Sequence, residues 1–402
     1  MNKNNILQIK LNIINFLLGA GLYSSIEVVY LNSKNFTPYT ISFLILLIPL
    51  ATAILEVPTG ILGDYLGRKS VFRLTFLSFL CSMIIIFFAN NFIYFILAYI
   101  IEALGYSFYS GNTEAILYEH CQKEGMNVNK ALSNFYASLT FGYVISGVMV
   151  KLFSFFNNDV LKLSIVLTVI IRLIAVGLCF SIYKINDIER KKKPTLIMKE
   201  AFRYLKEDKA SISMCIYDAL GRLQYYLPVI YQPILLNRGV SISTIAIIYS
   251  LSQLAQSLSQ KFAAPLIEKV GMNKIIRISP IIQGIGLLLL LTNNSYVIIS
   301  GIILVYSCIS VKGQCTSLIR NQITSDETRV TFSSLISLLT LLINTLLLNG
   351  IGLIIDSALK IAVIILSLIL VIGSFAVKNN FLKYSEISKM KDEEFNIEVE
   401  QN

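Results

Sequence analysis

Glu102 sits near the middle of an apolar run, Phe92 to Leu117, and Arg172 near the middle of another, Leu161 to Tyr183. A charged side chain at the centre of a bilayer costs ~2.5–3.5 kcal/mol on insertion scales, so each needs a partner, a wet cavity or, for the acid, a proton. Two kinds of chemistry are open to this pair: proton uptake and release at Glu102, or a static ion pair that orients helices. Asp218 and Arg222 are four residues apart in the run Ile212 to Leu236, which puts them on one helical face where they can pair. They suit either a structural pair or a substrate or proton site. Glu27, Glu56, Glu114 and Lys312 complete the charges inside apolar segments. Lys312 either attracts an anionic solute or snorkels towards the inner surface, and snorkelling is the preferred reading.

Other chemistries lack their residues. There is no glycine-rich P-loop for nucleotide hydrolysis. His120 is the single histidine, read as a surface residue. The six cysteines (Cys81, Cys121, Cys179, Cys215, Cys308, Cys315) fall singly, without paired spacing or a partner histidine, so they read as small buried hydrophobes. Neither a metal site nor a cofactor is expected.

The elements that position these charges must live in lipid. Of 402 residues 55% are hydrophobic and only 14% charged, with a mean hydropathy of +0.69. That is too little polar surface to cover the apolar mass in water. At roughly 20 apolar residues per crossing the runs give twelve helical spans: Leu11–Leu31, Tyr39–Leu62, Val71–Ala89, Phe92–Leu117, Leu132–Phe155 and Leu161–Tyr183, then Ile212–Leu236, Ile245–Leu266, Ile278–Leu291, Val297–Leu318, Phe332–Ile355 and Ile361–Val377. The first run is too long for a signal-peptide core and is read as a retained helix. The net charge of +10 lies in short loops, where it sets orientation and does not point to nucleic acid. Most Lys and Arg fall on the side of the two chain ends, with only Lys34, Lys151, Lys162, Arg238 and Lys360 opposite, so both ends are expected in the cytoplasm.

The basic stretch Arg190 to Lys193 before Pro194 divides the spans six and six. The expected organisation is a six-helix bundle over 1–183, a cytoplasmic linker over 184–210, a second bundle over 211–378 and a tail over 379–402. Within the linker, Leu196 to Leu205 has the helical spacing of an interfacial helix.

Between the second and third spans lies Gly60-Ile61-Leu62-Gly63-Asp64-Tyr65-Leu66-Gly67-Arg68-Lys69, a tight glycine-rich hairpin with an acid facing two bases. Ala264 to Lys274 echoes it in the second half: Leu266 matches Leu62, Glu268 matches Asp64 and Gly271 matches Gly67. The hairpin resembles the loop between the second and third helices of the major facilitator superfamily of secondary transporters. Leu55 to Gly60, Ser110 to Ala115, and Asn321 through Arg329 to Ser333 resemble a drug-efflux-like bacterial branch of it.

The resemblance implies an all-helical membrane fold of two six-helix repeats around a central pathway. The implied activity is proton-coupled export of a small, partly apolar compound, with uptake of a metabolite as the alternative and a non-transporting sensor or enzyme as a rival of another class. Gly60, Gly63, Asp64, Gly67, Arg68 and Lys69 would form the cytoplasmic gate, supported by Glu56, Glu114 and Arg329. Glu102, Arg172, Asp218, Arg222 and Glu27 would take protons or substrate. The expected partners are a small solute, protons and the bilayer, with the chain acting as a monomer in the inner membrane. The sequence departs from the family at Tyr65, where a further arginine is common, at Ile101, four residues before Gly105, and in Phe141 to Gly147, which lacks the antiporters' proline. Tyr225, Tyr226, Tyr231 and Gln232 around Pro228 are read as an aromatic binding wall.

Overall fold

The computed structural model describes residues 6–156, 159–182, 209–223, 226–323 and 329–376, and among these there are helices and short turns but no strand. The first span is two helices, Ile6–Gly19 and Tyr23–Ser33; the second to sixth are Pro38–Leu66, Arg68–Phe88, Phe92–Lys123, Val128–Phe153 and Val160–Phe180. The seventh is again split, into Lys209–Gly221 and Leu227–Asn237. The eighth to tenth are Ile242–Val270, Met272–Leu289 and Ser295–Ile323. Arg329–Ala376 carries the last two spans, which meet at Ala358 with non-helical φ −154° and ψ 67°. Among the described residues each span expected from the sequence falls on helix apart from the breaks in the first and seventh and a few end residues of others. The expected linker helix and C-terminal tail lie outside the described residues.

Local chemistry sets several helix ends. Asn91, Asn127 and Asp159 each accept from the backbone N–H three residues on, at 3.3, 3.0 and 3.1 Å, which satisfies an otherwise orphaned donor at the start of a helix. Second and third spans are joined by the single residue Gly67, at φ 78°. Eighth and ninth are joined by Gly271, at φ 89°. Only glycine takes this conformation without a steric penalty, so the two glycines aligned in the sequence repeat share one structural job.

Among the described residues nine segments are long and apolar enough to cross a bilayer unaided, including all of the first six spans. The seventh misses because its halves have 13 and 11 residues. The eighth carries Gln253, Gln256, Gln260 and Lys261, and of the eleventh only Leu339–Ile355 qualifies as a shorter apolar helix. Large apolar side chains point outward, Phe88 at 69% and Ile93 at 71% exposure, as hydrocarbon surroundings allow and water does not. The chain is a multi-pass, all-helical membrane protein.

It divides into two compact units, one containing spans 1 to 6 together with Pro228–Leu254, the other the inner part of span 7 up to Leu227 and the chain from Ala255 onward. In the first unit Phe72, Phe76, Phe79 and Tyr106 run in edge contacts at 5.2, 5.9 and 4.8 Å. Asn15 ties three spans together by donating to the Phe135 carbonyl at 2.6 Å and accepting from the Tyr109 hydroxyl at 2.6 Å. A Cβ on Gly142 would overlap the Phe16 carbonyl and the Ala20 amide nitrogen, so spans 1 and 5 touch backbone to backbone, the close approach that small residues permit in membranes. The second unit packs around Tyr217, Ala263, Ile275, Ile276, Val311 and Cys315, and Tyr217 donates its hydroxyl to the Ile276 carbonyl at 2.7 Å.

Candidate functional site

In the first unit the helix of span 1 stops at Gly19 and restarts at Tyr23, whose N–H donates to Thr168 Oγ1 of span 6 at 3.0 Å. One turn further on, Glu27 Oε1 accepts from the Tyr99 hydroxyl at 2.6 Å, and Tyr99 in turn lies 3.1 Å from the Tyr23 hydroxyl. Glu102 follows Tyr99 by three residues, hence on the same face of span 4, and Glu102 Oε2 accepts from Ser82 Oγ at 3.2 Å.

Arg172 is 5% exposed and lies over the Phe79 ring at 5.2 Å. Its Nε and Nη1 have no hydrogen-bond acceptor among the described residues. The guanidinium acts on Glu102 electrostatically but makes no ion pair with it, so the expected Glu102–Arg172 bridge is replaced by Ser82 on the acid and open donors on the base. Next to it Gly21 keeps space: a Cβ there would stand 3.7 Å from Arg172 Nη2. Glu102 acts electrostatically on Glu27 and Arg172 on Glu102, so the two carboxylates and one guanidinium leave one negative charge if all are ionised. A proton or a solute cation would balance it, while the free guanidinium donors suit an oxygen-bearing solute.

The second unit holds the pair expected from its spacing. Arg222 donates through Nε and Nη2 to Asp218 Oδ2 at 2.9 and 2.6 Å, and Thr316 Oγ1 donates to Asp218 Oδ1 at 3.4 Å. The pair sits where span 7 breaks after Gly221, just before Pro228, which occupies the first turn of the following helix where its missing N–H is not needed.

A helix that stops inside a membrane leaves its last carbonyls short of intrahelical donors; here Arg222 and Leu223 N–H bond back to Ala219 and Gly221 at 3.3 and 3.0 Å, and three other spans add donors. Gln283 Nε2 reaches the Gly221 carbonyl at 3.4 Å. Asn344 Nδ2 reaches those of Ala219 and Arg222 at 2.7 and 3.2 Å. Lys312 Nζ reaches that of Tyr217 at 2.5 Å and lies 4.1 Å from the centre of the Tyr217 ring. At 2% exposure Lys312 does not snorkel, because a fixed acceptor and an aromatic face hold it inside. Gln283, Asn344 and Thr316 were not singled out from the sequence; their signal was a polar residue in an otherwise apolar span.

The remaining expectations are placed as follows. Gly60, Gly63 and Asp64 lie on the last turns of the second span, and Arg68 and Lys69 open the third, both half-buried. The side chains of Asp64, Glu114 and Arg329 lie outside the described residues, so their contacts are not. Glu56 is half-buried in the second span and His120 half-buried near the end of the fourth. Of the expected aromatic wall, Tyr226 and Tyr231 are fully buried, which makes them packing residues, and Tyr225 is outside the described residues. All six cysteines are free. Among the described residues no group of His, Cys, Asp or Glu could hold a metal ion.

Comparison with known proteins fits this arrangement. The family model described as Major Facilitator Superfamily matches residues 11–235, more than half of the chain. The chain belongs to the Major Facilitator Superfamily. Within that superfamily it is similar in structure to a variant of the nucleoside transporter NupG, with a TM-score of 0.81 and 16% identity over 94% of this chain and 99% of that one. A bacterial homologue of the human lysosomal transporter Spinster matches at 0.70 and 15% identity over 96% and 99%. A D-xylose–proton symporter matches at 0.70 and 13% identity over 93% and 97%. At these identities the likeness is one of fold. Comparison with curated proteins finds no match. This superfamily member is a transporter of small molecules and not an enzyme.

Proposed function

We propose that the chain is a proton-coupled importer of a small polar organic solute. The observation that supports this best is Arg172, buried with two N–H donors that have no acceptor among the described residues and acting on Glu102, which in turn acts on Glu27. Such donors suit hydroxyls, carbonyls or ring nitrogens and would be left unsatisfied by a hydrocarbon-like drug. Glu27 and Glu102 exchange the coupling proton, with Tyr99 and Tyr23 fixing Glu27, and Asp218 is the corresponding acid of the second unit. Two of the fold neighbours are a nucleoside transporter and a D-xylose–proton symporter, both handling polar solutes. One proton moving down 100 mV supplies ~2.3 kcal/mol before any pH gradient.

In this reading Asp64 and Arg68 close the cytoplasmic side, with Gly60, Gly63, Gly67 and Lys69 shaping the hairpin and Glu56, Glu114 and Arg329 bracing it. The protein acts as a monomer in the cytoplasmic membrane with both ends inside. The test is accumulation of labelled nucleosides and pentoses in proteoliposomes under an inward proton gradient. Accumulation should vanish with a protonophore. Glu102→Gln and Glu27→Gln should each lower it by at least about 100-fold while solute exchange without a gradient persists. Undiminished proton-driven accumulation in both variants would remove the carboxylates from the mechanism. The second reading, export of a partly apolar compound, rests on the efflux-like stretches Leu55–Gly60 and Ser110–Ala115. It predicts no accumulation under the inward gradient, and resistance to the compound in an export-deficient host.

A further inference from the structure

Lys312 presents a puzzle that transport by the first unit leaves untouched. Its ammonium can donate three hydrogen bonds, yet among the described residues it makes one, to the Tyr217 carbonyl, and no carboxylate stands within ion-pair distance of it. The nearest acid, Asp218, is already engaged by Arg222 and Thr316. The ammonium lies flush against the helix end: a Cβ on Gly221 would overlap Lys312 Nζ and come within 2.7 Å of its last two methylenes.

The surroundings are those of a cation site. The C-terminal end of a helix carries partial negative charge, and broken spans in transporters use such carbonyls to hold small cations. Here the Tyr217 carbonyl and the face of the Tyr217 ring meet the ammonium directly, and the Asp218 carboxylate, which accepts from Thr316, acts on it from beyond ion-pair distance; oxygen and π donors in a negative field suit a monovalent ion. We propose that Lys312 is a tethered cation, its ammonium filling a monovalent-cation site at the break in span 7, and that removing the side chain leaves a site that takes Na⁺ or a small alkylammonium ion. The wild-type protein is then structurally independent of Na⁺ because it supplies its own cation. This does not rest on the direction of transport, the solute or the role of Glu102.

Shortening Lys312 to alanine opens a hollow larger than the ~30 Å³ share of one water and strips the Tyr217 carbonyl of its side-chain donor. The experiment compares thermal unfolding of the full-length protein in detergent, in choline chloride and in NaCl or methylammonium chloride at equal ionic strength. For Lys312→Ala we expect a saturable rise in Tm of at least about 3 °C with Na⁺ or methylammonium. Lys312→Met, which refills the hollow with an apolar stem, should fold and respond to neither ion, as should the wild type. A Lys312→Ala protein insensitive to both ions would overturn the proposal. So would an equal rise in the wild type or in Lys312→Met, or recovery of folded Lys312→Met with Lys312→Ala lost alike in all three salts. None of these outcomes touches the transport assay with Glu27 and Glu102 variants, so the two readings fail separately.

Discussion

Spans 1 and 7 hold the same place in the two repeats, and both are broken, but the breaks are held in different ways. In span 1 the interruption between Gly19 and Tyr23 is repaired almost entirely by its own backbone: Ala20 N–H bonds to Phe16 at 2.8 Å, and Ser24 and Ser25 bond to Gly21 and Leu22 at 3.3 Å. From outside, among the described residues, Thr168 accepts from Tyr23 N–H and Gln232 Nε2 reaches the Ser25 carbonyl at 3.5 Å. In span 7 the Arg222 and Leu223 N–H groups also bond back, to Ala219 and Gly221 at 3.3 and 3.0 Å, but Gln283, Lys312 and Asn344 from spans 9, 10 and 11 add donors to the carbonyls around the break. One break is a local kink; the other is the hub that binds its unit together. A buried carbonyl without a partner costs about 1–3 kcal/mol, so the two should differ sharply when perturbed.

The largest difference is expected between the two glycines at the breaks. Gly221→Ala drives a methyl into the Lys312 ammonium and should destabilise by about 3 kcal/mol, because the displaced cation leaves the Tyr217 carbonyl. Gly21→Ala comes nearest to Thr168 Cγ2, at 3.0 Å, with Arg172 Nη2 and the Leu18 carbonyl at ordinary contact distance, and should cost less than about 1 kcal/mol. Reversible unfolding in denaturant measures both, and equal losses would mean the hub is no more than a kink. Next come the donors. Asn344→Leu removes the side-chain donor to two carbonyls, of which Ala219 keeps the Arg222 N–H, and should cost about 1–3 kcal/mol, against about 1 kcal/mol for Thr168→Val. Comparable midpoints for the two variants would contradict the contrast. The smallest effects concern packing away from both breaks. Gly177 has open space around it, so Gly177→Ala should be neutral or stabilise by up to about 1 kcal/mol through helix propensity. Gly142→Val, pressed against span 1, should instead lower Tm clearly.

Much of the fold could be read from the sequence because hydrocarbon imposes one simple demand, a long run of apolar residues per crossing. Gly67 and Gly271 were legible for a second reason: a hairpin between two spans with a single linking residue needs a left-handed backbone, and only glycine supplies it cheaply. Asp218 and Arg222 were legible through helical spacing. The breaks were not, since hydropathy counts side chains and Gly19 to Tyr23 is as apolar as its neighbours; only Pro228 hinted at the second. Lys312 was misread because snorkelling and burial depend on what faces the side chain, a property of packing across spans. Asn344 and Gln283 were invisible for the same reason, being single polar residues whose acceptors lie far away in sequence.

The broken seventh span also bears on how the protein is made. All six early crossings are apolar enough to be recognised one at a time by the insertion machinery, whereas the eighth is not and the seventh is split into helices of 13 and 11 residues. Pro228–Leu254 packs with the first six spans, so the earlier-synthesised bundle can serve as the template on which these marginal segments leave the translocon. Insertion of the seventh and eighth spans is then a folding event assisted by the first six, not a pair of independent insertions.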